Sequence, residues 1–370
     1  MKTQEIKFKD QNKKYSIIIG KNILRLLSSK IKTLCPKTKK IAIIFDKNIP
    51  QNFKAKISEK LKNYQVFVYE FKANEKSKSF LTVKYFLQKL LSNNLTRSDL
   101  IIGAGGGITG DLVSFVASIY KRGINYISVP TTLLSQVDAS VGGKTGVNSK
   151  QGKNLIGSFY QPKLVLSDIS FLKSLKKKDM ICGYAEILKH AIIKDKSFFN
   201  WLNFNTQFVM DQKPDKLIYA IKKSCQIKLF FVNKDVTENN LRMILNFGHT
   251  FAHAIEVKNN YSSKLSHGEA VLSGMILATK LSIIKKTCNT KTLDVLENIY
   301  IKNNLFYTSK KYQSIKEVKK LIPFLKYDKK NDDEKINFIL LKKIGKTTLP
   351  NKNKIKINEL RKIIEYFNKY

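Results

Sequence analysis

The chain has 370 residues, 43% of them hydrophobic, enough for two ordinary domains and too apolar for a disordered protein. Cys35, Cys182, Cys225 and Cys288 are scattered without a CxxC pair, so neither a disulfide framework nor a cysteine zinc site is expected. The formal charge of +40 is spread along the chain, and only Arg25, Arg97, Arg122, Arg242 and Arg361 of its 68 basic residues are arginine; this fits compositional drift better than a nucleic-acid surface, which gathers arginine and aromatics on one face.

The opening MKTQEIKFKD carries no apolar leader, and no later run approaches the roughly 18 apolar residues of a membrane span. A cytoplasmic protein with no membrane and no nucleic-acid partner is therefore expected. From Lys14 to Asp168, YSIIIG, KIAIIFD, QVFVYEF, DLIIGAG, NYISVP and KLVLSD read as strands. NILRLLSSKIKTL and SFLTVKYFLQKLLSNNL read as helices between them. The alternation predicts a largely parallel sheet covered by helices, with ligands bound beyond the carboxyl ends of its strands.

After the DLII strand, Gly105, Gly107 and Gly110 complete GxGxxG at a strand-to-helix turn, the setting of a dinucleotide pyrophosphate site. The pattern serves equally as a tight turn of small residues, since no acidic residue is clearly placed about 20 positions onward. Pro130 to Tyr160 follows, with little apolar periodicity. It gathers Asp138, Lys144, Lys153 and Asn154 among Gly142, Gly143, Gly146, Gly152 and Gly157. Such a stretch reads as a loop that handles a polar anion, or else as a solvated connector. GGKT at Gly142–Thr145 resembles the tail of a P-loop, but Asp138 stands where its first glycine belongs, which disfavours a Walker NTPase.

Beyond about Leu175 the strand signals fade. DMICGYAEILKHAIIKD, DKLIYAIKKSCQIKLFFVNKD, RMILNFGHTFAHAIE, HGEAVLSGMILATKLSIIKK and INELRKIIEYF read as helices, so residues 175–370 form an expected all-helical domain after an α/β domain at 1–174. The cleft between two such domains is the default place for a ligand. All four histidines fall in the second half. His249 and His253 share a helix face, His267 opens a helix as HGE, and Glu186 lies near Lys189 and His190. Three nitrogen or oxygen donors from separate helices suit a catalytic zinc-type site, yet spacing alone leaves each of them equally readable as a packed or surface residue.

VPTTLLSQVDASVGGKTGVN, GKNLIGSFYQP, GYAEILKH, LNFGHTFAHAIE and SHGEAV, in this order, resemble the 3-dehydroquinate synthase family over about Glu75 to Lys330. The resemblance implies a Rossmann-like NAD-binding domain, an all-α metal-binding domain and a homodimer. It implies Glu186, His249 and His267 as ligands of zinc or cobalt. Asp46, Glu75, Lys78, Gly106, Gly107, Asp111, Thr131 and Thr132 match NAD positions. Asp138, Lys144, Asn154, Lys189, Lys228, Arg242, Asn246, His253 and Lys329 match the substrate site. Lys144 is also counted with NAD, and Lys153 lies where both ligands are approached. Arg122 corresponds to an arginine that reaches the neighbouring subunit. FKANEKSK departs from the family's glycine-containing nucleotide loop, and Cys182 replaces a polar residue that commonly contacts NAD.

The implied reaction turns 3-deoxy-D-arabino-heptulosonate 7-phosphate into 3-dehydroquinate and phosphate, a step of the shikimate pathway toward aromatic amino acids. It runs through transient oxidation by NAD, phosphate elimination, reduction, ring opening and aldol closure. Lysines and Arg242 suit a substrate bearing a carboxylate and a phosphate. Cyclases making 2-deoxy-scyllo-inosose or valiolone-type rings lack the substrate carboxylate, and a glycerol-dehydrogenase-type enzyme would release NADH. His253 is a candidate proton relay or an orienting partner, whereas Lys150, Lys163 and Lys176–Lys178 match no role.

Overall fold

The computed structural model describes residues 3–9, 13–261, 265–305, 309–325 and 335–369. The candidate Lys329 lies outside them. The chain divides into two compact units, Met1–Lys176 with Gln212–Leu229, and Lys177–Asp211 with Phe230–Tyr370.

The first unit contains β1 (Gln4–Lys9), β2 (Lys14–Gly20), α1 (Leu27–Leu34), β3 (Lys40–Asp46), α2 (Gln51–Glu59), β4 (Gln65–Phe71), α3 (Phe80–Ser92), β5 (Leu100–Gly105), α4 (Gly107–Ile119), β6 (Asn125–Pro130), β7 (Lys144–Ser149), β8 (Gly152–Phe159) and β9 (Leu164–Asp168). A seven-stranded sheet runs in the order β1-β2-β9-β6-β5-β3-β4, parallel except for the antiparallel edge strand β1. The continuous apolar run of β3 follows from burial on both faces. Ile41, Ile43 and Phe45 join a core with Leu27 and Ile57, while Ala42 and Ile44 join another with Val83, Phe86 and Leu112.

The order of strands reverses at β3, whose two neighbours are β4 and β5. That reversal opens a crevice at the carboxyl ends of β3 and β5, where Asp46 and the glycine turn stand. Pro130–Tyr160 departs from the expected loop. It holds a π-helical turn at Ser135–Ala139 and the antiparallel hairpin β7–β8. The hairpin is paired through backbone, with Gly146 opposite Gly157, so it leaves no apolar alternation to read.

The second unit contains α5 (Lys177–Lys194), α6 (Lys196–Met210), α8 (His249–Lys258), α9 (His267–Ile284) and α10 (Thr290–Lys302); α7 (Pro214–Lys234) spans the boundary between the units. α9 is the unit's interior helix, buried on every side from Ala270 to Ile283. Two features depart from the sequence reading. Residues 212–229, expected with the helical domain, pack in the first unit, where Cys225 donates to the Gln136 carbonyl and Lys222 to Gln4. Two short antiparallel ribbons, Lys335–Asn337 with Lys354–Lys356 and Leu341–Lys343 with Lys346–Thr347, join the helices. Segments of two or three residues carry too little periodicity to reveal themselves. Among the described residues, no helix is long and apolar enough to cross a membrane.

Candidate functional site

In the second unit Glu186 lies mid-way along α5, while His249 and His267 are the first residues of α8 and α9. Gly248 adopts φ +79°, a left-handed conformation that lets the chain turn sharply into α8. α9 starts with a capping box, in which the Ser266 side chain accepts from the Glu269 N–H and the Glu269 carboxylate accepts from the Ser266 N–H. A Cβ at Gly268 would stand 2.3 Å from the Cys182 Cα, so glycine is what allows α9 to start directly against α5. These local choices bring three donor atoms within 4.8 Å of one another.

His249 Nε2 lies 3.4 Å and His267 Nε2 3.5 Å from Glu186 Oε1. The other nitrogen of each ring faces an acceptor, His249 Nδ1 the Phe247 carbonyl at 3.4 Å and His267 Nδ1 the Glu256 carboxylate at 3.3 Å. Each Nε2 is thereby left to coordinate. Glu186 is 1% exposed, and neither of its oxygens has a hydrogen bond of good geometry. Its charge is balanced by an ion pair with Lys189, itself 2% exposed. Burial would raise the Glu186 carboxyl, but the charges of Lys189 and His249 hold it well below its ordinary value. Burial and the Lys189 charge push His249 down, against the pull of Glu186. Burial alone would also lower His267, yet Glu256 and Glu186 raise it well above its usual range. A buried carboxylate short of directed partners and two imidazoles whose Nε2 atoms turn toward it fit a divalent cation.

Other predicted residues of this unit stand close by in sequence. His253, exposed one turn after His249, has its ring 5.5 Å from the His249 ring. Arg242 is 1% exposed and donates to the Val236 carbonyl at 2.5 Å, while Asn246 donates to Glu238 at 3.1 Å. Glu256 escapes the sequence reading as a functional residue. Its position seven residues after His249 puts it on the same face of α8, the one signal that could have marked it.

In the first unit the glycine turn lies where a pyrophosphate would need it. Gly106 precedes α4 and Gly107 opens it, with the free N–H groups of a 13-residue helix and no acidic residue in its first turn. Thr131 N–H donates to the Gly105 carbonyl at 2.9 Å, and Thr132 Oγ1 accepts from the Ser135 N–H at 3.1 Å, fixing the adjoining strand end. Asp46 accepts from the N–H groups of Asn48 and Ala73, tying the end of β3 to the loop after β4.

Five predicted residues meet in that loop's network. Lys78, 5% exposed, donates to Asp111 at 2.6 Å and to Asn154, while Lys153 donates to Glu75 at 2.9 Å. Asn148, which the sequence reading passes over, donates to the other Glu75 oxygen at 2.8 Å. A second pair joins Lys228 to the Asp138 carboxylate and carbonyl, each at 2.6 Å. Lys144 is exposed at the start of β7, and Arg122 is exposed with φ 64° before Gly123.

Residues 68–182 match the family model for the N-terminal part of 3-dehydroquinate synthase, and residues 183–331 the model for its C-terminal part. The chain is 45% identical to the 3-dehydroquinate synthase of Pelagibacter ubique (strain HTCC1062), over 92% of this chain and 93% of that protein. It is 41% identical to that of Dictyoglomus turgidum, over 94% of both. Among solved structures, 2-deoxy-scyllo-inosose synthase complexed with carbaglucose-6-phosphate, NAD+ and Co2+ gives a TM-score of 0.88 at 23% identity, covering 98% of this chain and 99% of that one. The 2-epi-5-epi-valiolone synthase of Streptomyces hygroscopicus with NAD+ and Zn2+ bound gives 0.80 at 23% identity, covering 96% and 97%. At that identity the two structures speak for the fold alone.

Proposed function

This chain belongs to the 3-dehydroquinate synthase family and serves the shikimate pathway, and we propose that it performs the family reaction as a phosphate lyase that needs NAD and one divalent ion. The observation that carries this reading is the buried carboxylate of Glu186 beside the Nε2 atoms of His249 and His267. When bound, the ion, zinc or cobalt, supplies a Lewis acid at a substrate hydroxyl, and the dinucleotide supplies a hydride acceptor restored within each turnover.

The chain's own groups do the rest. Glu186, His249 and His267 are assigned to the ion, with Lys189 keeping Glu186 ionised in the dry interior. Gly106 and Gly107 present backbone N–H groups to the pyrophosphate, while Asp46, Glu75, Lys78, Asp111, Thr131, Thr132, Lys144 and Lys153 are assigned to the dinucleotide. Asp138 and Lys228 form a positioned pair that orients a substrate hydroxyl or acid group. Lys144, Asn154, Lys189, Arg242, Asn246 and Lys329 are assigned to the remaining polar groups of the substrate. His253, exposed beside His249, is assigned to proton movement, since imidazole titrates near neutrality. Arg122 is assigned to the neighbouring copy of a cytoplasmic homodimer.

The test is product identification. The purified protein is incubated with NAD, zinc and either the heptulosonate phosphate or glucose 6-phosphate, and the carbocycles are identified by mass spectrometry and NMR. Dehydroquinate from the first substrate alone is expected. An inosose from glucose 6-phosphate with no dehydroquinate would overturn the reading in favour of a sister cyclase.

A further inference from the structure

The first unit has a second concavity at the opposite ends of its strands. A cleft of about 510 Å3 is lined by the turns that lead into β5, β6 and β9, together with the turn after α1. β5 is six residues long, so the cleft lies roughly 20 Å along the sheet from the glycine turn. Lys37, Arg97 and Lys163 come to it from three separate segments, and all three are exposed. Among the described residues no acidic side chain pairs with any of them. Asp99, next to the cleft residue Ser98, is turned inward and accepts from the N–H groups of Lys39, Lys40 and Thr96.

The wall is firm. Tyr160 donates its hydroxyl to the Ile124 carbonyl at 2.6 Å, and Asn125 donates to the carbonyls of Ser98 and Asp99 at 3.0 and 3.1 Å. Arg97 lines the same cleft as Tyr160, and its charge pulls down the hydroxyl that burial raises. Like charges gathered in a concavity repel one another and focus a positive field, and a bound anion relieves the first and exploits the second. Arginine adds a planar fork matched to phosphate or carboxylate.

We propose that this cleft binds a small polyanion carrying phosphate or carboxylate groups, at a site separate from the catalytic one. The probes are pyrophosphate and citrate, titrated calorimetrically into the full chain with NAD held saturating so that the glycine turn is occupied. R97E/K163E is compared with K62E/K84E, which makes the same change of charge at exposed lysines of the same unit outside the cleft. If R97E/K163E fails to fold, R97Q/K163Q replaces it. The expected result is an affinity about tenfold or more weaker in the cleft variant only, the scale of losing a charge-assisted clamp, with turnover retained. Equal weakening in both variants, meaning a diffuse field, or unchanged binding in the cleft variant, would overturn the proposal. So would a cleft that binds neither probe and whose reversal instead lowers the sedimentation coefficient, since a second copy would then cover it.

Discussion

Glu256 illustrates how much of a candidate metal site lies behind its donor atoms. Its carboxylate faces His267 Nδ1 at 3.3 Å and so fixes which nitrogen points toward Glu186. Glu256→Gln keeps the shape but gives up the charge, and zinc affinity measured by competition with a chelator is expected to fall about 10–100-fold with the fold intact by circular dichroism. Unchanged affinity would mean that the contact is only structural. The three candidate ligands themselves were not legible from spacing. They come from three helices, and His249 follows Glu186 by 63 positions, so only the resemblance of whole motifs assembled them. Glu256 stayed hidden because a glutamate on a helix face is ordinarily solvated, and its partner became visible only with the fold.

Between elements, glycine contacts set the positions that bring Glu186, His249 and His267 together. Gly268→Val would force the start of α9 away from Cys182, so a loss of about 1–3 kcal/mol from overpacking is expected, together with weaker metal retention. Differential melting and metal analysis of the same sample would check both, and a variant that melts like the parent and holds its metal would refute this placement.

Another link joins α8 to the helix Ile315–Lys319. Glu317 lies 2.5 Å from Lys258 and 2.7 Å from Lys320, which bring its carboxyl down from 4.5 to about 2. Because the folded value is depressed, this stabilisation is full above about 4.5 and disappears as pH falls toward about 2. The melting-temperature gap between the parent and Glu317→Gln should therefore be largest at neutral pH and close across that acid window. A gap that persists at the acid end would contradict the ion-pair account.

The five inner strands β2, β3, β5, β6 and β9 were legible because burial on both faces writes a largely apolar run into each, while the edge strand β4, only half-buried, shows through its β-branched and aromatic residues Val66–Tyr69. The β7–β8 hairpin was not, because its residues are chosen for backbone approach and polar contacts, and neither were the brief ribbons near the C-terminus. The placement of residues 212–229 was hidden for another reason. An amphipathic period shows that a helix buries one face but not which unit receives it.

The charge of +40 acts over the whole molecule. Raising ionic strength from about 0.01 to 0.15 M shortens the screening length from about 30 to 8 Å. For a phosphorylated acid, kcat/KM is therefore expected to fall several-fold with kcat nearly level, as steering of encounter is lost. Equal falls in both constants would assign the salt effect to the site itself.

In the proposed reaction hydride leaves and returns within one turnover, and the ion assigned to Glu186, His249 and His267 stays necessary throughout. Phosphate and NADH absorbance are best followed together in one cuvette, with the heptulosonate phosphate, NAD and zinc present and a chelator added part-way. Phosphate should appear without accumulating NADH and stop after chelation. NADH rising mole for mole with substrate consumed, or phosphate release that continues unchanged through chelation, would rule out this metal-dependent internal redox cycle.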